Sequence, residues 1–318
     1  MSTATQPVFL LSLPRSGSTW LQRELSHFSE VATLPEPWVL LPLAYLNRQA
    51  EVLAPFNAFL YERARRELAE KGPGVAEIYR ETMAEAGQKI YAHLADGAPY
   101  FLDKTPRYTL ILPEIIEAFP DARFILLWRD PVDIAVSMLK TWGGRWDTLF
   151  RYQVDFEVGL ANLAQAKKTL GSRAVSITYH DLKADPEAEM RKVQTYLGLD
   201  VQKRRSSAEV QAMLASDMIG DQVYRDQDKR SKTTLSKGNI RSIRKMLKSL
   251  PPAVWETGYF DQQTCENKLT ALKSHYKPAT DLVSFGISIV YRHNLIGLSQ
   301  KFNPARKKEL GSIKYPLE

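Results

Sequence analysis

The sequence predicts an α/β protein built on a central parallel sheet. Short apolar runs recur that do not alternate between polar and apolar residues. Segments with helical spacing separate them, and a polar cluster directly follows each run. Near-continuous apolar strands suit a parallel sheet covered on both faces. Such sheets bind ligands outside the carboxyl ends of their strands, so polar clusters placed there converge on one cleft.

The expected strands are Val8–Leu13, Tyr100–Leu102, Arg123–Trp128 and Ala174–Tyr179, and the clusters are "SLPRSGST", "DKTP", "RDP" and "YHDL". Between them, Trp20, Leu21, Leu25 and Phe28 form one helical face. Leu110, Ile111, Ile115 and Phe119 form another, and Ile134, Met138 and Leu139 a third. From Trp38 to Gly97 there is no strong strand signal. "FNAFLYERARRELAEKG" and "VAEIYRETMAEAGQKIYAHLAD" read as two helices parted by Gly72, Pro73 and Gly74. A single domain over 1–318 is expected, with a helical insertion at 38–99 and a basic, mainly helical region at 200–318.

A chain of 318 residues, 44% hydrophobic and 25% charged, has material for one sizeable core and excludes dominant disorder. Its single cysteine, Cys265, cannot form an internal disulfide, so a reducing, cytoplasmic compartment is expected. The expected first strand leaves no room for a signal peptide, and no apolar run has transmembrane length. The net charge of +7 admits nucleic acid, anionic lipid or a phosphate- or sulfate-bearing small molecule. Much of the positive charge falls in "RDQDKRSKTTLSKGNIRSIRKMLKS" and "NPARKKELGSIKY", which also reads as a solvated face.

The first cluster carries the sharpest chemistry. A strand, tight loop and helix aim backbone amides and the positive end of a helix dipole at an anion. Gly17 allows close approach, Ser16, Ser18 and Thr19 offer hydroxyls, and Arg15 offers a planar fork. The alternative is an ordinary turn with a hydroxyl cap. A Walker A loop would need glycine at Ser12 and lysine at Ser18. Together with the lack of a clearly placed acidic Mg²⁺ ligand, this counts against phosphoryl transfer. Sulfuryl transfer moves a less charged group and is compatible with basic side chains and amides, without metal.

Three segments in order then resemble the sulfotransferases that use 3′-phosphoadenosine 5′-phosphosulfate (PAPS). "LPRSGSTWL" resembles their 5′-phosphosulfate loop and "FILLWRDPVDIAVSML" their 3′-phosphate segment. "ITYHDLKADPEAEMRKVQTYLGL" is similar to the strand, turn and helix that follow. The resemblance spans most of Val8 to Leu199 and implies a P-loop-like three-layer fold. It assigns Arg15, Ser16, Gly17, Ser18, Thr19 and Trp20 to the donor's 5′ end, and Arg129 and Ser137 to its 3′-phosphate. Pro131 suits the first position of a helix, and Ser137 lies about two turns on. An ion pair with Asp130 or Asp133 is the bland alternative for Arg129. Lys237 and Gly238 in "SKG" only partly match a late donor loop reading Arg-Lys-Gly.

In the cytosolic branch of the family a histidine after a lysine-threonine pair acts as base, but "DKTPRY" has Pro106 there. Glu36 in "TLPEPWVLLP" is the expected base, as tyrosylprotein and bacterial glycolipid members place a glutamate a helix length after the loop. Pro35 and Pro37 would stiffen it, and Trp38 would desolvate it. The alternative is a solvent-facing glutamate, with His27, His93 and His180 as weaker bases. Lys104 matches the lysine near the donor's bridging oxygen, with a salt bridge to Asp103 as the alternative.

The expected acceptor is a carbohydrate, glycolipid or secondary-metabolite hydroxyl, held against the insertion and "KTWGGRWDTLFRYQ". There Trp142, Arg145 and Trp146 would stack or pair with it. "DLVSFGISIVYRHNLIGL" could rest on a membrane surface or pack on the domain. The products would be a sulfated acceptor and adenosine 3′,5′-bisphosphate (PAP). Competing readings are a nucleotide-dependent kinase and a non-catalytic binder of nucleotide or nucleic acid.

Overall fold

The computed structural model describes residues 5–47, 72, 74–141, 148–214 and 235–272. Five strands form one parallel sheet: β1 (Gln6–Leu11), β2 (Val31–Pro35), β3 (Tyr100–Lys104), β4 (Arg123–Trp128) and β5 (Ala174–Thr178). Their order is β2-β3-β1-β4-β5. The chain leaves β1 toward one edge and crosses to its other side at β4. The loop after β1 therefore lies at the topological switch point, where a crevice opens beyond the strand ends.

The apolar runs are buried from both sides. Phe9 and Leu11 of β1, Phe101 of β3 and Phe124, Leu126 and Trp128 of β4 face one core. Helices α2 (Leu40–Asn47), α3 (Val75–Ala95), α4 (Leu112–Ala118) and α6 (Leu160–Thr169) pack on that face. The alternate residues Val8, Leu10, Leu102, Ile125, Leu127 and Ile177 face a second core. Helices α1 (Ser18–Ser26) and α7 (Pro186–Leu197) cover it. The result is the covered parallel sheet that the periodicity predicts, in the three-layer, P-loop-like form that the resemblance implies.

A third apolar cluster joins α5 (Pro131–Thr141) to α9 (Lys237–Ser249) and α10 (Gln262–Ala271), which lie past α8 (Ser207–Leu214). The basic C-terminal region thus contributes an amphipathic helix, α9, whose Ile243, Met246 and Leu247 pack with Val132, Ala135 and Met138 of α5. Ser236 and Asn239 form a capping box at its start. Lys268 of α10 bridges both Asp130, at 3.4 Å, and Asp133, at 2.6 Å.

Two elements escape the sequence reading. Strand β2 lies at the sheet edge, pairs among the described residues with β3 alone and ends at Pro35. An edge tolerates proline because one side of the strand needs no ladder hydrogen bonds. Helix α2, "LLPLAYLN", lacks the polar stripe that announces a surface helix. Within the expected insertion, α3 matches the second proposed helix. The first lies outside the described residues except at Gly72, as do Trp142, Arg145, Trp146 and the apolar segment 281–298.

Asp155 opens a π-helical turn, Asp155–Gly159, and is wholly buried 3.2 Å from Arg107. Burial pushes its carboxyl up to about 6, against the pull of the guanidinium. The folded chain therefore holds this proton more tightly than the unfolded chain. The stabilisation is complete at acid pH and is lost as pH rises through about 6. Asn mimics the neutral acid, so Asp155→Asn is expected to gain on the wild type by on the order of 1–3 kcal/mol between pH 4.5 and 7.5. Chemical denaturation at the two pH values measures this.

Candidate active site

The loop after β1 is held open by its backbone. Arg15 has φ 70° and Gly17 φ 98°, both in the left-handed region. The Ser16 amide donates to the Leu13 carbonyl at 3.2 Å, and the Trp20 amide to the Gly17 carbonyl at 3.0 Å, turning the chain straight into α1. No side chain caps α1 at Gly17, so its positive end faces the loop.

Arg129, at the end of β4, clasps this loop. One terminal guanidinium nitrogen donates to the Arg15 carbonyl at 2.7 Å. Its guanidinium lies 4.2 Å from the ring centroid of Tyr179, which directly follows β5. That ring fills the space above Gly17, where a Cβ would come within 2.4 Å of its Cδ2. Arg15 Nε also lies 3.5 Å from Ser137 Oγ, two turns into α5. The ends of β1, β4 and β5 and the flank of α5 thus meet. Arg129 makes no pair with the neighbouring carboxylates. Asp130 accepts from the Val132 and Asp133 amides at the start of α5 and, with Asp133, faces Lys268.

Two polar atoms in this cradle have no partner. Ser16 Oγ and Arg129 Nε are buried and make no hydrogen bond among the described residues. Buried donors left unsatisfied cost about 1–3 kcal/mol each. An anion accepting from both would remove that cost, so the residues present fit an anionic ligand.

A second constellation lies toward the β2 edge. Pro35 is opposite Lys104 in the β2–β3 register, so the residue after β2 emerges beside the end of β3. Lys104 Nζ donates to Glu36 Oε1 at 2.9 Å. The lysine side chain is 1% exposed and the glutamate 16%, so the lysine's buried charge has a partner that still reaches solvent. Glu36 has φ 43° and Trp38 φ 54°. Such conformations cost on the order of 1–3 kcal/mol each and persist where their surroundings impose them. Trp38 itself is 37% exposed.

Asp103 does not pair with Lys104 but points into the opposite core. Its Oδ2 accepts from Tyr91 Oη at 2.8 Å and Tyr108 Oη at 3.1 Å, and its Oδ1 from Thr105 Oγ1 at 2.9 Å. Burial pushes its carboxyl up to about 6, opposed by the three hydroxyl donors and by Lys104. Nothing in the sequence announces this network, because Tyr91 arrives from α3 and its spacing reads as core.

The other candidates are dispersed. Ser18 opens α1, Thr19 follows it, and Trp20 packs against the core on that face. Lys237 and Gly238 open α9, the helix packed on α5. His27 Nδ1 lies 3.3 Å from the Arg205 carbonyl. The His180 side chain is 91% exposed beside Asp181, and His93 lies in the last turn of α3. Among the described residues no three His, Cys, Asp or Glu side chains gather as metal ligands. None of the described helices is long and apolar enough to cross a membrane.

Fold and site together define a P-loop-like α/β protein with two buried, unpartnered donors at its switch point and a carboxylate–ammonium pair at the neighbouring strand ends. The chain belongs to the sulfotransferase family, whose model matches residues 7–203. Over 135 residues it is 35% identical to nodulation protein NoeE of Sinorhizobium fredii, covering 42% of this chain and 31% of that protein. Over 181 residues it is 24% identical to the omega-hydroxy-beta-dihydromenaquinone-9 sulfotransferase Stf3 of Mycobacterium tuberculosis, covering 52% and 42%. The match therefore spans less than half the length of either relative. Among solved structures, the sulfotransferase domain from the Synechococcus PCC 7002 olefin synthase aligns with a TM-score of 0.44 at 21% identity. That alignment covers 78% of this chain and 97% of that domain.

Gly17→Ala forces a left-handed φ on a residue with a Cβ and drives that Cβ into Tyr179. It is expected to destabilise the chain by about 1–3 kcal/mol, measured by urea denaturation. Tyr179→Ala in the same chain should relieve only the steric share.

Proposed function

We propose that this chain transfers the sulfuryl group of PAPS to a hydroxyl acceptor and releases PAP. The observation that carries the reading is the pair of buried, unpartnered donors, Ser16 Oγ and Arg129 Nε, on neighbouring strand ends of a sulfotransferase-family fold. In this reading Arg15, Ser16, Gly17, Ser18 and Thr19 hold the 5′-phosphosulfate, with Trp20 beside them. Arg129 and Ser137 hold the 3′-phosphate, and Lys237 and Gly238 close over the donor from the start of α9.

The donor, when bound, supplies a sulfuryl group activated by its anhydride bond to phosphate. Glu36 takes the proton of the acceptor hydroxyl as that oxygen bonds to sulfur. The sulfur–oxygen bond to the phosphate breaks, and its electron pair stays on the departing phosphate. Lys104 and Arg15 stabilise the charge left there. The ion pair between Glu36 and Lys104 supports this division, since it holds the proposed base and the proposed cation within 2.9 Å of each other. No step requires a metal.

The acceptor is proposed to be a carbohydrate, glycolipid or secondary-metabolite hydroxyl. The name of Stf3, an omega-hydroxy-beta-dihydromenaquinone-9 sulfotransferase, supports an alcohol on a small molecule. Nucleic acid is not among the proposed partners, contact with a membrane surface is compatible with this acceptor class, and a cytoplasmic location goes with the single cysteine.

Calorimetry with PAP and with ATP–Mg²⁺ tests the donor, and tight binding of PAP alone is expected. Arg129→Ala should weaken PAP at least tenfold, as loss of a charge-assisted contact predicts. Glu36→Gln should reduce sulfuryl transfer from labelled PAPS into lipid and glycan extracts at least about 100-fold while leaving PAP affinity unchanged. ATP binding in place of PAP would replace this reading with a kinase. PAP binding without transfer by the wild type would replace it with a binder.

A further inference from the structure

The segment that carries Glu36 is held by hydroxyl groups. The Trp38 amide donates to Thr105 Oγ1 at 3.4 Å, and the Leu40 amide donates to Tyr108 Oη at 2.8 Å. Each hydroxyl in turn donates its own hydrogen to Asp103, Thr105 to Oδ1 and Tyr108 to Oδ2. A hydroxyl has one hydrogen, and spending it on Asp103 leaves its lone pairs free to accept from an amide. The carboxylate therefore sets the direction of both relays. Thr105 and Tyr108 present acceptors to Trp38 and Leu40 because Asp103 takes their hydrogens.

The strain described above falls within this same segment. Glu36 and Trp38 are the two left-handed residues, and the relayed amides belong to Trp38 and to Leu40, the first residue of α2. The Lys104–Glu36 pair holds the segment at its other end. We propose that Asp103 is a positioning residue: through Thr105 and Tyr108 it fixes the Trp38 and Leu40 amides, and so the direction of the Glu36 carboxylate. The proposal rests on Glu36 being the base only for its catalytic meaning, because the geometry it concerns exists without that reading.

A neutral Asp103 carries a hydrogen of its own. That hydrogen takes the lone-pair site on Oδ1 that the three hydroxyls leave open, and the neutral acid then accepts all three bonds more weakly, which loosens the hold on both amides of the Glu36 segment. The groups facing Asp103 are Tyr91 from α3, Tyr108 from the turn after β3, and Lys104 beside it with its partner Glu36. Both phenols are held well above their ordinary range, chiefly by burial, and stay neutral throughout. Asp103 is pushed up to about 6, so the relays are charge-assisted above that pH and weaker below it.

The test follows the backbone amides of Trp38 and Leu40 by nuclear magnetic resonance between pH 5 and 8. The full chain is labelled with [¹⁵N]Trp and [¹⁵N]Leu, and the two signals are assigned by Trp38→Phe and Leu40→Met. In the wild type both signals should move together with a midpoint near 6. In Asp103→Asn the movement should vanish. Glu36→Gln should leave it in place, which separates Asp103 from the carboxylate on the segment itself. Tyr108→Phe should abolish the movement at Leu40, and Thr105→Val at Trp38. These two variants keep the carboxylate and cover the case in which Asp103→Asn does not fold.

PAP affinity within about twofold of wild type confirms that a variant retains its cradle. Amides that do not titrate in the wild type, or that titrate equally in Asp103→Asn, overturn the proposal. Retained turnover in Glu36→Gln would instead remove the base assignment and leave the positioning of the segment standing.

Discussion

The register of β2 on β3 and the position of β1 at the centre of the sheet govern the rest of the site. With Pro35 opposite Lys104, the chain must leave the edge strand beside the end of β3. Glu36 and Lys104 therefore meet, at 2.9 Å. With β1 between β3 and β4, its loop opens between that pair and Arg129. A slip of one residue in the pairing of β1 would reverse the alternation that divides Phe9 and Leu11 from Val8 and Leu10. The two cores on opposite faces of the sheet thus hold the polar groups in place from a distance.

Burying charge in such a structure is expensive, and the chain offsets it by local pairing. Lys104 is nearly inaccessible and faces one carboxylate. Asp103, its neighbour in sequence, points the other way and is met by three hydroxyls. Successive residues of a strand point to opposite faces. An acidic and a basic residue side by side at a strand end therefore serve two separate environments, and the salt bridge that their adjacency suggests does not form.

Much of this was legible in the sequence. The loop from Arg15 to Thr19, the Arg129–Pro131 junction and the strand ends could be read because each follows an apolar run, and the local pattern marks the turn. Strand β2 could not, since an edge strand closed by proline lacks that run. The hydroxyl network of Tyr91, Thr105 and Tyr108 around Asp103 was hidden for another reason. Tyrosines at helical spacing read as core, and their hydroxyl partners are chosen by tertiary packing. The left-handed backbone at Arg15, Glu36 and Trp38 was equally invisible, because none of these is the glycine that usually announces it.

The contact of Tyr179 with Gly17 has an evolutionary consequence. A ring seated on a bare α-carbon, with a guanidinium stacked on the ring, joins three distant positions in one steric unit. Any lineage that enlarged residue 17 would have to shrink residue 179 in nearly the same step, and Arg129 would then lose the surface it lies on. The three positions are thus expected to be inherited as a block, even where the acceptor side of the molecule diverges freely.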